Sequence, residues 1–430
     1  MKELDEDSIE LKKENQSEEK QEETNKKDSI ELINENSSKL IVNKNNEKID
    51  SFEIISKEKE LGGDDNSFTD LSFKLVYEND PLLKYPISKI TEYLDKNSKN
   101  SDKKIIECLS NFINYDEFSE EVVNQILHNG IPETLPCLRP LIWKSLIGFY
   151  PLKELSKWKD ESINKNKAYK IIIQKYNYYP NDIKEEMNIN LIDQINKDLK
   201  RTRFGEPFFA EKNKKNEKEN NYDVLRRILF FYANEHPDIS YVQGMNEIIA
   251  LIYYIFSKDD NPFCQDFIES DTYFTFQKLM EQIKKIFLMD SDNYSDLFVT
   301  SQIQEIKNIL KKVEPDLIKH FEKEKLELDN VVMRWILVMF AQEFNIDIAV
   351  NFWDRLFTQK NKMKFICYIS AAIIKNNKDK IMEMDSGEIM EWAQELQNKM
   401  NEININDIVK VSLEIQKIYK RRESNSILDK

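Results

Sequence analysis

The chain has 430 residues, 33% charged and 40% hydrophobic, with a formal net charge of −15. Its 7 glycines fall far below the average usage of about 7%. This weighs against sandwiches, barrels and dinucleotide folds, which need glycine at turns, bulges and phosphate loops. The acidic balance weighs against non-specific nucleic-acid binding and against a polybasic membrane anchor.

Residues 1–66 hold 11 Lys and Arg against 20 Asp and Glu, and one aromatic, Phe52. Such a composition cannot bury enough apolar surface to offset ordering, so a disordered acidic tail is expected. Residues 67–124 read as a helical lead-in. NDPLLKYP (79–86) is turn-rich, and helices are expected over 101–115 and 118–128. Gly130-Ile131-Pro132 then stops the chain's helical run. Pro140 fits the first turn of a new helix. Leu225, Ile228, Leu229 and Tyr232 recur at i, i+3, i+4 and i+7 of another. His236-Pro237 breaks that helix. Ser240 is the expected cap of the next, which continues to Phe256. Further helical patterns cover 272–287, 301–318, 331–344, 346–357, 362–375 and 387–400, while 211–221 and 257–262 are polar loops. The core domain is placed at 125–375, with C-terminal helices over 376–430 completing it. The expected fold is all-α and multi-helical.

Several chemistries have no sequence support. Cys108, Cys137, Cys264 and Cys367 are far apart, which fits a reducing compartment rather than a disulfide framework or zinc ribbon. The acidic start has no signal peptide, and Lys2 and the final ILDK match no lipidation motif. The longest apolar run, Ile248 to Phe256, is far short of a membrane span. A soluble, cytoplasmic protein with no transmembrane segment is expected, and peripheral recruitment to endomembranes is compatible with it. There is no phosphate loop and no G-x-G-x-x-G. His128, His236 and His320 lack helical partners at metal-ligand spacing. No metal and no cofactor of its own are expected.

Three segments stand out. One combines Gly130-Ile131-Pro132 with LRPLIWKSLIG (138–148), containing Arg139 and Trp143. A second is INKDLKRT (195–202). A third is YVQGMNE (241–247). Asp198 and Arg201 lie three residues apart, so on a helix the carboxylate can hold the guanidinium in one orientation. An aimed arginine suits phosphate recognition. Taken alone, an ordinary surface ion pair is the plainer reading. Gly244, beside Gln243, permits close approach of another backbone; taken alone, a polar helix cap is the plainer reading there.

Together, in order and spacing, these segments resemble the TBC-domain family of Rab GTPase activators. GIP…LR…W…L.G resembles its opening motif. INKDLKRT resembles I-x-x-D-x-x-R, and YVQGMN resembles Y-x-Q-G-M-N. The stretch 333–356 resembles the helical pair ending in R-x-W-D. The resemblance implies a GTPase-activating protein that acts in trans on a GTP-bound Rab-type small GTPase in vesicle trafficking, with no independent reaction of its own. GTP and Mg²⁺ come with the partner. It implies Arg201 as an arginine finger and Gln243 as a glutamine finger that orients the attacking water. Asp198 would position Arg201; Thr202, Tyr241, Gly244 and Asn246 would support the fingers. Gly130, Pro132, Arg139 and Trp143 would be structural. The family's R-x-W-D arginine is Asn351 here, and the proline often found soon after R-T is displaced. The alternative is a non-catalytic Rab-binding scaffold of the same fold.

Overall fold

The computed structural model describes residues 80–97, 103–114, 120–151, 154–176, 178, 186–213, 216–287, 294–396 and 404–428. All lie in the compact unit Phe68–Lys430; the expected 1–66 tail is outside the described residues. Among the described residues there is no strand, only one isolated bridge between Lys212 and Asn220.

The longer helices are α1 (Pro81–Asn97), α2 (Lys103–Asn114), α3 (Glu120–Asn129), α4 (Leu138–Ile147), α5 (Trp158–Tyr176) and α6 (Glu186–Leu199). Then follow α7 (Asn221–Glu235), α8 (Met245–Ser257), α9 (Ile268–Ile283), α10 (Tyr294–Val313) and α11 (Pro315–Lys323). The series ends with α12 (Asp329–Leu337), α13 (Ile346–Phe357), α14 (Lys362–Asn376), α15 (Ser386–Gln394) and α16 (Ile405–Leu428). Helix α8 is buried on every face from Met245 to Phe256, the pattern of a helix enclosed by others. Helix α4 is nearly so; even Lys144 is buried, paired with Asp271 at 2.8 Å. The side chains near Gln243 therefore stand on one of the most enclosed helices of the core.

Four expectations change. The turn-rich 79–86 stretch enters α1. Pro81 takes its first position, where no N–H is needed, and Asp80 Oδ1 accepts the Leu82 N–H at 2.9 Å. Pro86 leaves the Leu82 carbonyl without its helical donor, and Asn261 Nδ2 donates to that oxygen at 3.1 Å. The 301–318 helix is two, because Pro315 cannot continue α10 and instead opens α11. The 331–344 helix ends at Leu337; Met339 (φ 48°) and Phe340 (φ 59°) turn left-handed. Ser240 is not a cap. It sits at φ 57° in the turn before α8, whose first flanking residue is Gly244. Helix α7 carries an Asn220–Asp223 capping box and closes at His236, where the His-Pro pair was expected to break it.

Candidate functional site

Helix α6 ends at Leu199, so Arg201 stands in the turn just beyond it rather than on the helix itself. The Asp198 pairing survives this shift. Arg201 Nη2 donates to Asp198 Oδ1 at 2.7 Å. The carboxylate is 7% exposed and the arginine 56% exposed, so the cation faces outward on a buried support. Charge-assisted bonds of this length are strong and orienting.

Asp198 also joins the second motif to the third. The Tyr241 hydroxyl donates to Asp198 Oδ2 at 2.7 Å and lies 3.2 Å from Asn246 Oδ1. Burial, with Asp198 beside it, pushes the Tyr241 pKa well up, so it remains a neutral donor. Asn246 Oδ1 accepts the Gly244 N–H at 3.0 Å, and Asn246 Nδ2 donates to Thr202 Oγ1 at 2.8 Å. Thr202 Oγ1 in turn donates to the Asp198 carbonyl at 2.9 Å. This closed network fixes the Arg201 turn to the loop that carries Gln243. Gln243 itself is exposed between half-buried Val242 and buried Gly244.

Gly244 adopts φ 106°, and a Cβ there would meet Val338 Cγ1 at 3.0 Å. The close neighbour is thus a side chain, not the backbone expected from sequence. It comes from the break after α12. The same break supplies the Phe344 carbonyl, which accepts from Arg203 Nη1 at 2.7 Å.

Arg203 was absent from the expected site, as was Glu247. Both are buried, and Arg203 Nε lies 3.6 Å from Glu247 Oε2. They add a second tie between the Arg201 turn and the segment that carries Gln243. Burial pushes the Glu247 carboxyl up to about 7, against the pull of Arg203. Nothing in the sequence distinguishes Arg203 from an ordinary exposed arginine, and its burial follows from the turn's geometry.

Gly130 and Pro132 form the connection from α3 to α4. Among the described residues, no hydrogen bond joins them to the network around Asp198. Arg139 and Trp143 both bond to Asp354. Arg139 Nε donates to both oxygens of Asp354, each at 3.1 Å, and Trp143 Nε1 donates to Asp354 Oδ1 at 2.7 Å. Asp354 is fully buried, so the fourth motif's carboxylate anchors the first. Asn351 donates to the Asp347 carbonyl of its own helix at 2.9 Å.

A groove of about 880 Å³, lined by Lys200 and Phe204 on either side of Arg201 in the chain, opens between the end of α6, the 204–207 turn and the start of α7. Among the described residues no group of His, Cys, Asp and Glu could hold a metal ion, and no helix is long and apolar enough to cross a membrane.

The Rab-GTPase-TBC domain family model matches residues 136–382. Human TBC1 domain family member 13 is 31% identical over 167 residues, covering 39% of this chain and 42% of that protein. The GTPase-activating protein GYP1 of Saccharomyces cerevisiae is 25% identical over 307 residues, covering 64% of this chain and 44% of that protein. The chain thus spans less than half the length of these relatives. The crystal structure of the Ypt/Rab-GAP domain of Gyp1p superposes with a TM-score of 0.58 at 23% identity, covering 77% of this chain and 97% of that one. The family match takes in more than half of the chain, and the fold agrees with it: the protein belongs to the Rab-GTPase-TBC domain family.

Proposed function

We propose that the protein activates GTP hydrolysis by a Rab-type small GTPase, inserting Arg201 and Gln243 into the partner's nucleotide site. The relatives' names as GTPase-activating proteins support the reading. The observation that carries it is the Asp198-centred network, which holds an exposed cation and an exposed amide on one buried frame. Preorganised polar groups on rigid supports are what transition-state stabilisation requires. The Arg201 guanidinium neutralises charge developing on the transferring phosphoryl group. Gln243 orients the attacking water. The partner brings GTP and Mg²⁺, so the chain acts in trans and performs no separate reaction.

A panel of purified GTP-loaded Rab-type GTPases tests this. The wild type should accelerate at least one member. Arg201→Ala should lower kcat by about 10³-fold or more, the scale of an arginine finger in trans. Arg201→Lys should fail nearly as badly, because an ammonium lacks the planar fork. Asp198→Asn should lose roughly 10-fold or more in kcat, since aim rather than charge is lost. Binding to GTP-loaded partners without acceleration would instead identify a scaffold, and an unimpaired Arg201→Ala would end the finger assignment.

A further inference from the structure

Phe204 is 86% exposed, well beyond Ile171 at 64%, the next most exposed large apolar side chain among the described residues. A surface Phe is unremarkable by itself, but this one is held out by a rigid turn. Thr202 and Arg203 before it are buried. The Tyr222 hydroxyl donates to the Thr202 carbonyl at 2.8 Å, and Arg203 donates to the Phe344 carbonyl at 2.7 Å. Arg203 (φ 48°) and Gly205 (φ 96°) flank Phe204 in left-handed conformations. The Glu206 N–H closes the turn on the Arg203 carbonyl at 3.0 Å. With both neighbours fixed, the ring cannot fold back into the core, and little backbone entropy is left to lose on binding.

The position of Phe204 fixes what it meets. It lies three residues after Arg201, hence within about 10 Å along the chain. A standard protein–protein interface covers about 800 Å² per partner, a disc of roughly 16 Å radius. A globular partner that places a phosphate against Arg201 therefore also covers Phe204 and the adjoining groove. That groove, which Phe204 also lines, carries mixed charge, Asp193 and Glu206 with Lys197, Lys200 and Arg226, so it sets an aromatic side chain beside polar groups, the mix found at protein interfaces.

The geometry points to Phe204 as an apolar anchor that inserts into a hydrophobic recess of the GTPase beside its nucleotide, setting affinity and partner choice while Arg201 performs the chemistry. This rests on the reading of the chain as a GTPase activator. It predicts a separation of kinetic constants. Binding energy realised equally in the ground and transition states appears in KM, not kcat.

The test is steady-state hydrolysis by the full chain on the panel member that the wild type accelerates best. Phe204→Ala should raise KM about tenfold or more, as an interface hot spot does, with kcat within about twofold and an unchanged melting temperature. Phe204→Trp should restore most of the KM, and Phe204→Asp should raise it beyond the alanine variant. An unchanged KM for Phe204→Ala beside an active wild type overturns the anchor and leaves the activator reading standing. A loss confined to kcat also overturns it, because the ring would then act through the finger turn. A wild type that accelerates no panel member overturns both.

Discussion

Gly244 is where the demands on a single residue are sharpest. It needs a φ of 106°, and a Cβ there would press on Val338 Cγ1 at 3.0 Å. Gly244→Ala is expected to destabilise the fold by about 2 kcal/mol or more, combining backbone strain with overpacking. A double-mutant cycle with Val338→Ala should show a favourable coupling of about 1 kcal/mol, because trimming the valine relieves the clash but not the φ. No coupling in urea unfolding would mean that strain alone sets the cost. The Asp198–Arg201 contact was legible in the sequence, because the two lie three residues apart. The surroundings of Arg203 and Phe204 were not. Two adjacent residues, one charged and buried and one aromatic and exposed, invert the usual preference, and only the turn's left-handed geometry explains the inversion.

At the level of elements, the site depends on a helix that stops early. Apolar periodicity runs on through 331–344, yet α12 ends at Leu337. Phe340 and Phe344 stack at 5.3 Å in the core, and Trp353 Nε1 donates to the Met339 carbonyl at 3.1 Å. Tertiary burial outweighs local propensity there, so the break could not be read from periodicity. The α4–α13 joint was half legible: Trp143 was expected to be structural, but the role of Asp354 as its acceptor was not. Asp354→Ala should cost about 3 kcal/mol, since it strands the Trp143 N–H and the Arg139 guanidinium. Asp354→Asn, which keeps an acceptor for Trp143, should cost less. If the chain activates a GTPase as proposed, both variants should keep kcat within about twofold below the melting transition, because the joint carries neither Arg201 nor Gln243. A selective collapse of kcat would show that the joint acts on the reaction and not only on the fold.

For the whole molecule, the shortage of glycine correctly pointed to an all-helical fold, because helices are the architecture least in need of left-handed turns. Enclosure on that scale also traps titratable groups. Glu247 sits among Arg203, Glu343, Arg201 and Asp198, and desolvation moves its pKa from the ordinary 4.5 to about 7. The folded state therefore binds this proton more tightly than the unfolded chain. Its contribution to stability is complete below pH 4.5 and is lost as pH rises through 7. The shift corresponds to about 3 kcal/mol. Asp259, raised by burial from 3.8 to about 6, acts in the same direction. The wild type should accordingly lose melting temperature between pH 5 and 8. Glu247→Gln, neutral throughout, should show a shallower fall and should melt above the wild type at pH 8, while the two converge near pH 5. Parallel curves for the two proteins would mean that Arg203 keeps Glu247 ionised throughout, and that the pair stabilises the turn as a charged bridge rather than burdening it.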